Sequence, residues 1–422
     1  MQTKSIDMTP KVTYSIAAAV FVVFFLVALL TLGKYTCDET IFHFPNVINF
    51  YENGIDAMFN AHYSAANTPL PYMIVALAAK IFSPTLLLAR IITCIISFCS
   101  FLAAMKLLEL SDAPLHLSFV FLFFPYFFVN AFVFYVVNFG LFFALLALIV
   151  VHKTLGRNSY GSDFLAGILF SLAVLCQQFY LVVPAAVIIA RVLYALRGRM
   201  HVSSPEFKTM ALSGIVMLVP MILPLLLFLR WGGLTHPDFR FHSIGFYPPT
   251  IVGILFVTGF YFAPFLLQSY KALTRGKVIL ALTLSVVLVF FFKPTFSNHQ
   301  GPGLFTGITH HLIIAAGKIH PAFSVVMMIG LTCSGILVLV ELITQLSSEW
   351  DSGIFIACAL FAIAYTFNTL IGEKHLLPYT VFLFFLILPR IRKPVALFYP
   401  VAMAVLGMSY FVYWFFIKYQ AM

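Results

Sequence analysis

Apolar residues run through this chain in blocks of roughly twenty, separated by short polar or basic stretches, a spacing that predicts membrane-spanning helices. The blocks fall at 12–32, 70–82, 86–108, 164–176, 179–196, 209–229, 250–269, 278–292, 321–345, 353–370, 377–389 and 396–417, with one irregular stretch over 114–151. About 12 to 14 crossings follow. Several blocks are short for a ~30 Å hydrocarbon core at about 1.5 Å per residue, and short or broken spans usually line a protein-enclosed cavity. The blocks are continuous, unlike the alternating segments of a barrel. The expected fold is therefore all-α, a polytopic transmembrane helical bundle forming a single integral membrane domain over 1–422.

Basic residues mark the ends of these blocks: Lys4/Lys11, Lys153/Arg157, Arg197/Arg199/Lys208, Lys271/Arg275/Lys277 and Arg390/Arg392/Lys393. Positive loops stay inside, so the remaining loops face outward. Glu109 and Asp112 then lie outside and Lys153 inside, which needs an odd number of crossings over 114–151. The simplest solution is that part of 114–137 does not cross and that 138–151 runs inward from Asn138 at its external end. The same count puts Asp38, Glu39, the Gln177-Gln178 turn, the loop from His236 to His242, the loop from Lys293 to His311 and Glu373-Lys374-His375 on the external face. The first block lacks the small-residue cleavage site of a signal peptide and is expected to be a retained span.

Composition agrees with that class. Of 422 residues, 62% are hydrophobic and 9% charged, against about a quarter charged in soluble domains. The 49 Phe and 19 Tyr suit lipid-facing surfaces and interfacial belts. The net charge of +10 is spread over span ends and forms no basic patch of the kind that binds nucleic acid. Six Cys, mostly within apolar blocks and without CxxC spacing, support neither a disulfide framework nor a zinc site. The spacing of His299, His310, His311 and His320 matches no zinc signature, so no metal or other cofactor is expected, though a carboxylate-bound divalent ion at Asp38/Glu39 remains compatible with the residues.

Most spans lack charges, with Arg90 and Glu341 standing out, and the polar residues concentrate on the external face. The segment Asp38-Glu39-Thr40-Ile41-Phe42-His43-Phe44-Pro45 is the most informative of them. Adjacent carboxylates at the mouth of a span are costly near hydrocarbon, so they are either solvated loop residues or parts of a site facing water.

Here the residues carry a resemblance. Tyr35, Asp38-Glu39, Phe42-His43 and Pro45, followed by Asn67-Thr68-Pro69-Leu70-Pro71-Tyr72, resemble the first loop of polyprenyl-phosphate-sugar glycosyltransferases of the GT-C superfamily. Among these, the dolichyl-phosphate-glucose α-1,2-glucosyltransferase family is the most similar. Phe124-Pro125-Tyr126-Phe127-Phe128 through Tyr135 to Asn138 and Gly140 resembles that family's aromatic stretch, Leu175-Cys176-Gln177-Gln178 its Arg-Gln-Thr-Asn segment, and Glu373-Lys374-His375 with Tyr379-Thr380 its late Asn-Arg-His-Tyr-Thr segment. The matches occur in the family's order. The chain departs from the pattern at Asn138, where the family has an acid, and at Cys176, where it has Arg, which points to a divergent relative with a different sugar or acceptor.

The resemblance implies a hexosyltransferase that moves a sugar from a polyprenyl-phosphate donor to a hydroxyl of a lipid-linked glycan or other acceptor on the external or lumenal face, with inversion. It divides the chain into a module 1–200, with catalytic loop 34–70, and a variable transmembrane module 209–422. Such a transfer needs a base for the acceptor proton and cationic groups for the departing phosphate. Asp38 is the expected base, with Glu39 sharing that role or positioning the acceptor, unless one of them caps a short interfacial helix beginning near Thr40. Lys374, His375 and His43 are expected at the donor phosphate, the alternative being interfacial snorkelling. Gln177, Asn138 and Tyr379 are expected at the sugar or acceptor, although paired Gln at a helix turn can equally satisfy backbone groups.

No soluble segment is long enough for a nucleotide sugar, and no Gly-rich phosphate loop lies on the inner side, in keeping with a lipid-linked donor. A lipid-linked sugar flippase or secondary transporter would have as many spans but place ionisable groups at mid-membrane and show two similar halves, and neither is evident. With no retention signal in the sequence, a bacterial inner membrane is favoured over the endoplasmic reticulum.

Overall fold

The structure, a computed structural model, describes residues 9–30, 38–63, 65–155, 159–198, 201, 203–238, 245–294, 304–367, 370–392 and 394–417. Expectations that fall on Tyr35, Cys37, Arg157, Arg240, His242 and His299 lie outside the described residues.

The chain is helical almost throughout. Among the described residues, seven helices are long and apolar enough to cross a membrane: Pro10–Leu29, Leu86–Leu110, Gln178–Arg197, Pro205–Trp231, Pro249–Ala272, Pro321–Thr344 and Val395–Phe416. Three shorter apolar helices, Leu70–Phe82, Val137–Lys153 and Tyr160–Cys176, lie among them. This is an integral, multi-pass helical protein. The helix starts follow local chemistry: Pro10, Pro205, Pro249 and Pro321 occupy first-turn positions whose N–H groups have no intrahelical partner. Thr85, Ser204, Thr274 and Ser348 each accept a hydrogen bond from a first-turn N–H.

The irregular stretch does not form one helix. It breaks into short turns at Leu115–Leu117, Ser118–Leu122 and Pro125–Asn130 before the Val137–Lys153 helix, whose first turn contains Asn138. Phe124, ahead of Pro125, is forced out of the helical region (ψ 121°), which ends the preceding turn. Phe121, Phe124, Phe127, Phe128 and Phe134 from these pieces are buried. Where the sequence suggests a loop up to His311, a helix begins at Ile308 and runs to Ile319. Its twelve residues are too short to register as an apolar block of span length.

The chain divides into two compact units, Met1–Arg240 with Pro400–Met422, and Phe241–Tyr399. In the first, Val137–Lys153 packs against both Leu86–Leu110 and Tyr160–Cys176. Arg191, inside the Val182–Arg197 helix, is a further cation within a span besides Arg90; it donates to Asp163 (2.9 Å) and to Ser213 (3.0 Å), and Ser213 hydrogen-bonds Asp163 in turn. A buried charge is tolerated only with such partners.

In the second unit, Pro249–Ser269 and Pro321–Thr344 meet through glycines. A Cβ on Gly259 would collide with the Leu331 carbonyl, and one on Gly335 with the Leu255 carbonyl, so small residues on both faces let the backbones touch. Polar ties gather elsewhere in this unit: Lys277 reaches Glu341 (3.3 Å), Gln345 donates to Glu341 (2.9 Å), and Arg390 donates to Asp351 (2.7 Å) and to the Gln345 carbonyl (3.2 Å). A short parallel pair, Leu304–Thr306 with Leu370–Gly372, is aligned Thr306 to Gly372 and precedes the Glu373–Leu376 turn.

Candidate active site

Residues Asp38–His43 form a single π-helical turn that runs into the Phe44–Asn53 helix. Its two acids have different surroundings. Glu39 is fully buried, and its carboxylate accepts from Arg90 Nε (2.9 Å) and Nη2 (2.8 Å), a two-pronged ion pair, and from the Phe134 N–H (2.7 Å). It therefore ties the turn both to the Leu86–Leu110 helix and to the broken segment ahead of Val137. Asp38 is partly exposed and lies close enough to Tyr72 for its charge to act on that hydroxyl.

His43 is buried, with Nδ1 3.0 Å from the Tyr72 hydroxyl. Its ring packs edge-on against Tyr135 and Phe134, with centroids 5.1 Å and 6.0 Å away. Tyr72 stands in the first turn of the Leu70–Phe82 helix, with the Asn67 side chain and Cys176 near its hydroxyl. The loop before Tyr72 is clamped to the end of the Tyr160–Cys176 helix: Thr68 donates to the Val174 carbonyl (2.7 Å) and Gln178 Nε2 donates to the Ala66 carbonyl (3.0 Å). Of the residues expected from the sequence, Asp38, Glu39 and His43 thus share one turn, and the helix end that leads into Gln177 comes to the same neighbourhood.

Gln177 is the C-cap of that helix, and Gln178 opens the turn that follows. Because Gln178 Nε2 bonds to a carbonyl, its amide orientation is fixed, and Gln178 Oε1 is buried without a donor among the described residues, as is Gln177 Oε1. Asn138 is likewise fixed. Its Nδ2 donates to Ser97 Oγ (2.7 Å), whose own proton goes to the Thr93 carbonyl (2.7 Å), and Asn138 Oδ1 has no donor among the described residues.

In the second unit, Glu373 is buried with one oxygen on the Thr309 N–H (2.6 Å) and the Thr309 hydroxyl, and the other on the Tyr261 hydroxyl (3.0 Å). Gly307 turns through φ 145°, where a Cβ would strike the Glu373 side chain, so only glycine lets the carboxylate reach the start of the Ile308–Ile319 helix. Lys374 and His375 follow in the same turn, both half-buried. His375 Nδ1 accepts from the Gly372 N–H (3.3 Å), and its carbonyl accepts from the Tyr365 hydroxyl. Tyr379 is buried, with its hydroxyl 2.7 Å from Thr258 Oγ1. Among the described residues no three His, Cys, Asp or Glu side chains are grouped as metal ligands.

Sequence reasoning overlooked Tyr72 as a site residue, and it left Arg90 and Glu373 without partners. Tyr72 carried one available signal, its place at the end of the Asn67–Tyr72 motif. Arg90 carried another, a cation inside an apolar span that requires a buried acid.

No family model matches the chain, and no curated protein does. Two solved structures align with it. ArnT from Cupriavidus metallidurans bound to undecaprenyl phosphate does so at 14% identity and a TM-score of 0.38, over 94% of this chain and 77% of that one. ArnT from Cupriavidus metallidurans in the apo state does so at 14% identity and a TM-score of 0.37, over 93% and 78%. Superpositions this loose identify neither a shared site nor a shared substrate.

Proposed function

We propose that this chain is a membrane glycosyltransferase of GT-C type, transferring a hexose from a polyprenyl-phosphate donor to a hydroxyl of a lipid-linked glycan or other acceptor, with inversion. The observation that carries this reading is the division of labour in the acidic pair. Glu39 is buried, held by Arg90 and the Phe134 N–H, and anchors the turn, whereas Asp38 is partly exposed and is the member of the pair assigned to the acceptor. In this reading the Asp38 carboxylate takes the acceptor proton as the new glycosidic bond forms and the phosphate departs. The departing phosphate calls for cationic groups to neutralise it. The buried acceptor oxygens of Gln177 and Asn138 match the hydroxyl donors of a sugar.

The test is sugar transfer by the purified protein from a panel of polyprenyl-phosphate hexoses, comparing wild type with Asp38→Asn at matched folded concentration. The expected loss in kcat is about 10²- to 10⁴-fold, the usual worth of a general base. A variant as active as wild type removes Asp38 from the mechanism. A second reading, a lipid-linked sugar flippase, draws on the ionisable groups Arg90, Arg191 and Asp163 buried within or beside spans. It replaces the first if the protein moves lipid-linked sugars across vesicles and transfers none.

A further inference from the structure

The Asp38–His43 turn is one turn long and continues into the Phe44–Asn53 helix at His43, so Asp38 lies at its free N-terminal end. In a π-helix the hydrogen-bond register runs from residue i to i+5, so Asp38 and His43 stand at the two ends of one such turn. Glu39 ties the start of the turn beside Asp38, and what holds His43 ties its far end, so the two together set how the turn presents Asp38. His43 is fixed by the Tyr72 hydroxyl at 3.0 Å, and either tautomer of His43 can make that bond, by accepting from the hydroxyl or donating to it. Tyr72 is itself held from several sides. It is fully buried, and its ring lies edge-on to Tyr63 (6.1 Å) and Phe134 (6.3 Å).

We propose that Tyr72 is a positioning residue for Asp38, acting through His43. The inference rests on the glycosyltransferase reading with Asp38 as the base. It gives His43 a role different from the phosphate contact expected from the sequence: holding the turn rather than meeting the donor. Single π-helical turns occur frequently at functional sites.

The experiment measures kcat and KM for the lipid donor in full-length wild type, Tyr72→Phe, His43→Asn, His43→Leu and the double variant Tyr72→Phe/His43→Leu, using a panel of polyprenyl-phosphate hexoses. Tyr72→Phe keeps the ring and removes only the hydroxyl. It is expected to lower kcat about 10-fold or more, since small misplacements of a reacting group cost up to about 10²-fold, with donor KM little changed. His43→Leu should match it. His43→Asn, whose amide can take the place of Nδ1, should keep most of the activity. The double variant should be no slower than either single one, because both remove the same link.

Wild-type kcat in Tyr72→Phe overturns the inference. So does a double variant whose loss is the product of the two single losses, or a His43→Leu variant that raises donor KM at unchanged kcat, which would return His43 to the phosphate. If Tyr72→Phe does not fold, the His43 pair decides alone, and equal impairment of His43→Asn and His43→Leu overturns the inference. A wild type inactive with every donor overturns the glycosyltransferase reading and this inference with it, whereas an active wild type beside an indifferent Tyr72→Phe removes the inference only.

Discussion

Two glutamates, one in each compact unit, do similar work by different means. Glu39 lies in a π-helical turn that carries Asp38 and His43; Glu373 opens a 3₁₀ turn that carries Lys374 and His375. Each is buried, and each accepts the backbone N–H of a distant segment, Phe134 in one case and Thr309 in the other. They differ in what else they hold. Glu39 meets the guanidinium of Arg90, while Glu373 meets the hydroxyls of Thr309 and Tyr261 at the start of a helix. A turn this short cannot stabilise itself, because nucleating a helix fixes several residues for one hydrogen bond. It has to be tied to the surrounding structure, and the choice of tie decides how costly its loss is.

That contrast is sharpest under substitution. Glu39→Gln removes the carboxylate that faces a buried guanidinium, and breaking such a pair costs about 3–5 kcal/mol. It should show as a large fall in thermal stability in detergent. Adding Arg90→Met should recover much of that loss, because an apolar pair of similar volume is tolerated where half an ion pair is not. A double variant no more stable than Glu39→Gln would mean that Glu39 matters for something other than Arg90.

A smaller effect is expected in the second unit. Glu373→Gln keeps the size of the side chain but turns an NH2 group toward donors, at about 1–3 kcal/mol. The same thermal measurement checks it, and a loss as large as that of Glu39→Gln would erase the distinction between the two ties. Gly307→Ala should act in the same direction as Glu373→Gln, since its Cβ meets the Glu373 side chain.

The smallest effect separates the units by pH. His236, in the loop after Trp231, is packed between Tyr63 (5.3 Å) and Trp231 (5.6 Å), and its Nδ1 accepts from the Asp238 N–H (3.3 Å). Burial lowers its pKa below the ordinary 6.5, and the Asp238 charge opposes this in part. The folded protein thus holds His236 neutral while the unfolded chain takes up the proton first, so its contribution is present above about pH 6.5 and is lost as the pH falls below it. Wild type should therefore lose more thermal stability between pH 7.5 and 5.5 than His236→Phe, which keeps the aromatic packing and cannot titrate. Equal losses would show that this histidine does not titrate in the transition.

Much of the fold was legible because apolar length is a local property. The span over 70–82 begins and ends where the apolar block does, and the turn at Gln177-Gln178 falls where two polar residues part the blocks 164–176 and 179–196. The site was legible only as a neighbourhood. Two adjacent carboxylates in an apolar chain drew attention to Asp38 and Glu39, but nothing next to them distinguishes one from the other. Arg191 escaped notice as a charge within a span, and its partner Asp163 lies just outside the block assigned to the neighbouring span.

The sequence by itself determined that this is a multi-pass helical membrane protein, since runs of apolar residues long enough to cross a bilayer need no tertiary contact to declare themselves. Only the tertiary structure decided that Glu39 is a buried anchor, that Asp38 is the partly exposed acid, and that Tyr72 meets the same turn through His43. Those roles depend on Arg90, Phe134 and His43, which come within hydrogen-bonding reach of their partners only after separate helices have packed, and no local pattern encodes a distance between helices.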